Sequence, residues 1–215
     1  MPSQYVDTFL KDGIVLFRSL AYFRDYYEKD EQVRGDRFDG TRIYKPENGL
    51  EINKAGETFT IPSCSFESDV RVDEIFVFCM SLVNERTLYT EFKTDVCVEI
   101  FDSEKFIWRI KTALKRRPTI KPKKPIYGPV QYYENNDPPI IDWAFPDRIV
   151  MRKQCNFEWQ KEYRIAFSIR NALGFQQTTH KLVIGSEERT TLSSYPEHII
   201  RIGSMEDIAV VHKIT

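Results

Sequence analysis

The sequence predicts a single α+β domain over residues 1–215, with mixed, mostly antiparallel sheets and a few helices. The chain has 215 residues, of which 41% are hydrophobic and 29% charged, and this balance is typical of a globular protein that buries one sizeable core. Runs with strand periodicity dominate the second half of the chain. Their spacing is too irregular for the repeated strand–helix units of a doubly wound parallel sheet.

A strand and a helix are predicted next to each other near the start of the chain. Residues 13–18 form a short apolar run that ends at Arg18. Ser19 can cap the helix that follows. The apolar residues on one face of this helix are Leu20, Phe23 and Tyr27. Arg18 is therefore expected at a junction between a strand and a helix.

The next part of the chain, residues 34–73, is predicted to be a long polar loop. Its first seven residues, 34–40, have the Gly and Asp density of an ordered turn region, since these residues favour turns. A loop of this length inside a compact domain is a candidate lid or binding loop.

Two apolar strands and the clearest helix form the middle of the chain. Residues 75–81 are continuously apolar and residues 94–101 alternate, so both strands are predicted in sheet interior. Asp102 or Ser103 can cap a helix that ends before Pro118. Further strands are predicted at 126–133, 162–169, 181–184, 198–202 and 208–214.

The near balance of 31 basic and 32 acidic residues hides a strongly basic segment. Residues 111–124 contain seven basic residues and no acidic one, so the rest of the chain has a net charge of −8. Basic side chains on a proline-interrupted segment suit contacts with phosphates. The residues predicted to bind nucleic acid are Lys115, Arg116, Arg117, Lys121, Lys123 and Lys124. A solvated basic loop or a protein-docking site is the alternative interpretation.

Several classes of protein are disfavoured. The start of the chain lacks the pattern of a signal peptide, and the longest apolar run, residues 75–80, is too short to cross a bilayer. Four cysteines show no CxxC pair and three scattered histidines show no ligand spacing, so no metal site is predicted. These features favour a reduced, cytoplasmic location without a membrane partner.

Two clusters of acidic residues in the polar region 34–73, or just after it, could form a metal site. Asp36 and Asp39, or Asp69, Asp73 and Glu74, could hold Mg²⁺ for nuclease chemistry. Aspartate is also a common turn former. Solvation of a loop is therefore the favoured explanation of both clusters.

The sharpest local feature is the segment 157–167. Strand side chains alternate with a period of two, so Gln160, Glu162 and Arg164 share one face while apolar residues share the other. An amide, a carboxylate and a guanidinium in one row can bind a polar ligand and stabilise developing positive charge. On spacing alone, a solvated face with a Glu/Arg pair is the alternative.

Three short motifs, taken in order, resemble the Arg–Ser–Glu signature of mono-ADP-ribosyltransferases. They are Leu16-Phe17-Arg18, Cys79-Met80-Ser81 and Gln160-Lys161-Glu162, and each lies on a predicted strand. Nearly the whole chain, including the segments 10–13, 159–164 and 203–208, also resembles a broad group of bacterial domains with few assigned functions, some of which are associated with toxin or phage-defence systems.

The resemblance implies an ADP-ribosyltransferase-like fold and a role for each matching residue. Arg18 would hold a phosphate or ribose of NAD, and Ser81 would orient Glu162. Glu162 would stabilise the oxocarbenium-like charge that forms as nicotinamide leaves, and Gln160 would help to position the acceptor. Aromatic rings near Arg18 that could stack on NAD are those of Tyr22, Phe23, Tyr26 and Tyr27.

The leading hypothesis is therefore an NAD-dependent mono-ADP-ribosyltransferase of toxin or defence type. NAD would be its substrate, no metal would be needed, and a neutralising antitoxin protein is an expected partner of such a toxin. The basic segment favours a nucleic acid, RNA in particular, as acceptor. The main alternative is a non-catalytic or nuclease-type nucleic-acid-binding module, and a partner-docking protein that has lost activity is the third.

Overall fold

A computed structural model describes residues 1–26, 33, 35–121, 124–185 and 194–213. Tyr27 and Lys123, two of the residues predicted to contact a ligand, lie outside this described part. The described chain is mixed α+β, with mostly antiparallel sheets and few helices, in agreement with the fold class predicted from the sequence.

Five α-helices and fourteen strands are present in the described residues. The helices are α1 Val6–Leu10, α2 Leu20–Tyr26, α3 Arg86–Glu91, α4 Ser103–Lys115 and α5 Pro146–Val150. The strands of the first half are β1 Ile14–Ser19, β2 Thr41–Tyr44, β3 Leu50–Lys54, β4 Glu57–Ile61, β5 Cys64–Val70, β6 Ile75–Ser81 and β7 Val96–Ile100. Those of the second half are β8 Ile126–Pro129, β9 Gln131–Tyr133, β10 Arg152–Gln154, β11 Glu162–Ser168, β12 Thr178–Ile184, β13 Glu197–Arg201 and β14 Ala209–Lys213.

A five-stranded antiparallel sheet forms the centre of the molecule. Its order is β13-β1-β6-β11-β8. Strands β6 and β11 pair along their whole lengths, from Ile75 opposite Ser168 to Ser81 opposite Glu162. Strand β1, which carries Arg18, pairs with β6 on its other side, so the central sheet brings together all three motifs that were predicted from the sequence.

Both faces of the central sheet are covered by apolar side chains. On one face Phe17, Phe76 and Phe167 pack with Phe106 and Ile110 of α4. On the other face a smaller cluster includes residues from β6, β11, α2 and α5, namely Val77, Ala166, Leu20, Ile149 and Val150. The two-sided burial explains why β6 has a continuously apolar sequence.

The polar region 34–73 is not the long loop that the sequence predicts. It contains β2, β3, β4 and β5, with β5 between β2 and β12 in a three-stranded sheet and β3 paired with β4 as a hairpin. Ion pairs allow polar residues to occupy β5, since Asp69 pairs with Arg24 and Lys181 also contacts Glu67 and Asp69. A periodicity analysis misses such strands because their inward positions are not apolar.

Other sequence expectations are confirmed with small changes. Asp102 caps α4 by accepting a hydrogen bond from the Lys105 backbone N–H at 2.9 Å, and the predicted strand 126–133 is divided at Val130 into β8 and β9. The prediction of a sheet-interior strand at 94–101 is wrong, because β7 pairs with β14 in a two-stranded sheet in the described residues and is not part of the central sheet.

The four cysteines form no disulfide with one another. None of the helices in the described part of the chain has the length and apolar character needed to cross a bilayer.

Candidate functional site

The strand register places Arg18, Ser81 and Glu162 on one face of the central sheet. Ser81 lies directly opposite Glu162, and Arg18 lies opposite Val77 on the other side of β6. Paired residues of antiparallel strands share a face, and so do alternate residues of one strand. Four residues along β6 and two strand spacings separate Arg18 from Glu162, a distance of about 16 Å between Cα atoms.

A cavity of about 830 Å³, within the range of ligand pockets, runs along this face and continues onto the opposite face of the central sheet, where Phe78 and Met80 line it. It opens where the central sheet divides, because β1 pairs with β6 only at Arg18 and Ser19. Leu16 and Cys79, which would be the next opposite residues on the same face, both line the cavity. The predicted ligand-contacting residues that line it are Arg18, Tyr22, Phe23, Ser81, Gln160 and Glu162. One cavity therefore contains all three motifs.

Glu162 is a buried, ionised carboxylate that two cations hold. Its Oε1 accepts a hydrogen bond from Arg164 Nε, and its Oε2 accepts one from Lys153 Nζ at 2.9 Å. Burial by itself raises the pKa of Glu162, but Arg164 and Lys153 outweigh it and hold that pKa well below its usual value. Glu162 therefore acts as a hydrogen-bond acceptor and a negative charge, and not as a general acid.

Arg164 is fully buried at the centre of the same cluster. Its Nη1 and Nη2 bond the two carboxylate oxygens of Asp39 at 2.7 and 2.8 Å, and Nη1 also bonds the Val150 carbonyl at 2.7 Å. Burial lowers the pKa of Arg164, but Asp39 and Glu162 outweigh it and raise that pKa well above its usual value. A solvated Glu/Arg face, the alternative drawn from spacing, is therefore wrong.

Asp36 and Asp39 are buried counter-ions of this cluster, and they do not solvate a loop as expected. Each is 2% exposed. Burial and the neighbouring charge of Asp39 raise the pKa of Asp36 to about 6. No group of three or more metal-ligating side chains occurs in the described part of the chain. The cations that face the two aspartates are the basic groups of Lys153 and Arg164.

Gln160 and Ser81 are adjacent to Glu162, but their contacts differ from those expected. Ser81 Oγ donates to the Gln160 backbone carbonyl at 2.8 Å, and does not contact the carboxylate of Glu162. Arg164 and Lys153 already occupy both oxygens of that carboxylate. The Gln160 side chain accepts from Lys153 at 2.9 Å and donates to the Val33 carbonyl at 2.7 Å. Ser81 thus fixes the backbone before β11.

Arg18 lies at the strand-to-helix junction, as predicted, with a third of its side chain exposed. It forms a 2.6 Å ion pair with Glu197 and stacks over the Tyr22 ring at 4.5 Å. The Tyr22 and Tyr26 rings lie 5.3 Å apart, although only Tyr22 is among the residues lining the cavity. A phosphate that binds Arg18 would either contact the guanidinium together with the Glu197 carboxylate or displace that carboxylate from it.

The basic segment lies away from the cavity. The backbone N–H of Lys121 bonds the Ser168 carbonyl at the end of β11 opposite to Glu162. Six residues of extended strand separate Ser168 from Glu162, which is about 20 Å. The other basic residues of the described part are close in the chain: Lys115 at the end of α4, then Arg116, Arg117 and Lys124.

The three histidines take no part in this site. His198 packs edge-on against Phe76 at 4.3 Å between ring centroids, and burial lowers its pKa. His212 contacts Glu99 at 2.6 Å, and His180 is exposed. They have structural or surface roles, as the sequence predicts.

Two contacts of the site were not predicted from the sequence: those of Lys153, and that of Asp39 with Arg164. Lys153 belongs to a three-residue strand, and Asp39 lies 125 residues from Arg164. A signal was nevertheless present: a strand that places Glu162 and Arg164 on one buried face needs opposite charges elsewhere in the chain.

We compared the chain with models of protein families, with curated proteins and with solved structures, and none of these comparisons found a significant match.

Asp36→Asn should change how stability depends on pH. Because the pKa of Asp36 is raised from 3.8 to about 6, the folded state binds the extra proton and the wild type loses stability as pH rises through this interval. This loss in the free energy of unfolding is about 3 kcal/mol, and the variant does not show it because it has no carboxyl group at residue 36. Relative to wild type, its free energy of unfolding in urea should increase between pH 4 and pH 7.

The control for this experiment is Asp147→Asn, a substitution of a helix aspartate outside the cluster. A constant difference between Asp36→Asn and wild type across the pH range would contradict the raised pKa.

Proposed function

We propose that the chain is an NAD-dependent mono-ADP-ribosyltransferase of toxin or defence type. The observation that carries the proposal is the meeting of Arg18, Ser81, Gln160 and Glu162 at one cavity. Transfer of ADP-ribose requires a group that binds the phosphates of NAD and, at some distance, a carboxylate beside the nicotinamide ribose. Arg18 and Glu162 are separated by about 16 Å on the sheet, which suits an extended dinucleotide better than a small ligand.

The ionised state of Glu162 supports this chemistry. When the bond between nicotinamide and ribose breaks, positive charge develops on the ribose. A fixed carboxylate in a site that excludes water stabilises this charge without reorganisation. Glu162 is 4% exposed and held at both oxygens. Arg164, Lys153 and the Cys79 thiol occupy three of its roughly four acceptor sites, which leaves one for a hydrogen bond from a ribose hydroxyl.

The rest of the cavity wall is suited to flat, apolar parts of the ligand. Tyr22 lines the cavity beside Arg18, and its ring packs against Arg18 and the rings of Phe23, Tyr26 and Tyr195. Phe78, Met80 and Phe106 also line the cavity, from the opposite face of the central sheet. Aromatic and apolar walls with few polar groups are typical of cofactor pockets.

A nucleic acid is the acceptor that we propose, with RNA favoured. The support is the basic segment that includes Lys115, Arg116, Lys121 and Lys124. Tyr127, which is 40% exposed and contacts Lys111 through its hydroxyl at 2.8 Å, adds an aromatic ring beside these charges. A single strand would have to span about 20 Å from the basic segment to Glu162, so several nucleotides would be involved.

The second candidate is a nucleic-acid-binding module without catalysis. Both oxygens of Glu162 are already paired with cations, and a purely structural ion cluster has the same form. In that case RNA, and not NAD, should raise the melting temperature of the wild-type protein.

Glu162→Gln should lower ADP-ribose transfer by about 100-fold or more, because the amide keeps the shape of the side chain and removes the charge. The measurement is transfer of label from NAD to total cellular RNA, DNA and protein in separate reactions. Circular dichroism and thermal unfolding would show whether the variant folds.

Glu158→Gln is the matched control, since Glu158 lies on the same segment and its side chain is 55% exposed. Its transfer rate should equal that of wild type. Equal transfer by Glu162→Gln and wild type would refute the assignment of the catalytic carboxylate.

Replacing Lys115, Arg116, Lys121 and Lys124 together with Gln should weaken RNA binding and reduce its salt dependence, because each phosphate contact releases counterions. The measurement is the dissociation constant for a short single-stranded RNA at several salt concentrations. The control replaces lysines elsewhere: Lys11, Lys45, Lys54 and Lys93. Unchanged RNA binding in the first variant would remove the nucleic-acid part of the proposal.

A further inference from the structure

We infer that Lys153 is a positioning residue that holds Glu162 and Gln160 as one unit at the cavity wall. The inference rests on the proposed function, because Glu162 is the carboxylate that acts there. Neither the motif order nor the sequence periodicity points to Lys153. Its assignment comes from the contacts of its ammonium group alone.

The Lys153 ammonium connects the two polar side chains that precede and begin β11. Its Nζ lies 2.9 Å from Gln160 Oε1 and 2.9 Å from Glu162 Oε2. The side chain is 5% exposed, and Nζ also lies 4.5 Å from the centroid of the Phe157 ring. A lysine so deeply buried is rare unless it is paired.

The β9–β10 ribbon, which carries Lys153, contacts Glu162 at two points. Strand β10 pairs with β9 in a short parallel ribbon, where Lys153 lies opposite Tyr132. The Tyr132 hydroxyl accepts a hydrogen bond from the Glu162 backbone N–H at 2.9 Å. Two opposite residues of one ribbon thus hold the backbone and the carboxylate of the same glutamate.

The second cation of the site cannot perform this task alone. Arg164 contacts only Oε1 of Glu162 and is also committed to both oxygens of Asp39. Without Lys153, the carboxylate would lose its ionic hydrogen bond at Oε2 and would be held by Arg164 and the Cys79 thiol alone, so it could rotate. Gln160 would lose the donor that fixes its Oε1. Lys153 therefore determines which edge of Glu162 faces the cavity.

The charge of Lys153 is maintained by its surroundings. Burial lowers its pKa, and Arg164 lowers it too, but Glu162, Asp39 and Asp36 outweigh both effects and leave that pKa above its usual value. The ammonium is thus charged when NAD binds. It in turn favours the ionised form of Glu162.

The test compares Lys153→Met, Lys153→Arg and a matched control. Lys161→Met is the control, because Lys161 adjoins Glu162 in the chain but forms an exposed ion pair with Glu158. Two quantities are measured: kcat and KM for NAD, and the pKa of the Glu162 carboxyl by ¹³C NMR. The Glu162 signal would be assigned by its absence from Glu162→Gln.

We expect Lys153→Met to lower kcat about 100-fold with little change in KM, since a small misplacement of a catalytic group has an effect of this size. The pKa of Glu162 should rise in this variant and stay low in Lys161→Met. Lys153→Arg keeps the charge and should keep the pKa of Glu162 low, with kcat between those of wild type and Lys153→Met.

Wild-type kcat together with an unchanged Glu162 titration in Lys153→Met would overturn the inference. A wild-type protein that does not consume NAD would refute the proposed function, whereas the titration would still decide whether Lys153 sets the ionisation of Glu162. If Lys153→Met does not fold, the inference is tested with Lys153→Arg. Because this variant keeps the charge, a pKa of Glu162 near its ordinary value would also overturn the inference.

Discussion

The buried guanidinium of Arg164 is the interaction on which the rest of the site depends. A charge with no exposed surface is tolerated only when opposite charges and hydrogen-bond acceptors surround it. Asp39 and Glu162 supply the charges, and the Val150 carbonyl supplies a further acceptor. Removing one partner of such a buried pair typically costs about 3–5 kcal/mol. The cluster therefore fixes the segment around Asp39 against β11 and fixes Glu162 at the same time.

The position of this cluster next to a cavity follows from the central sheet. Strand β11 is paired on both sides, with β6 and with β8, so Arg164 and Glu162 have a rigid backbone. Strand β1 pairs with β6 only at its last two residues, Arg18 and Ser19, and the cavity opens where the two strands are apart. A rigid polar row thus faces an open space. Such a combination of fixed charges and accessible volume is expected of a binding site more than of a structural core.

The sequence predicts which polar side chains share the face of β11, but it does not predict the residues that surround them. The period of two in the segment 157–167 predicted that Glu162 and Arg164 share a face, and the motif order singled out Arg18 and Ser81, each on a predicted strand. Burial of the pair could not be predicted, because its counter-ions, Asp39 and Lys153, are distant in the chain. Polar strands such as β5 were missed for the same reason: ion pairs formed only in the folded protein satisfy their inward side chains.

A crystal structure with a non-hydrolysable NAD analogue tests the central claim most directly. The account predicts that the analogue occupies the cavity, with a ribose hydroxyl within hydrogen-bond distance of Glu162, the phosphates near Arg18, and Lys153 still bonded to Glu162 and Gln160. An analogue bound elsewhere, or one that leaves the cavity empty at saturating concentration, would contradict it.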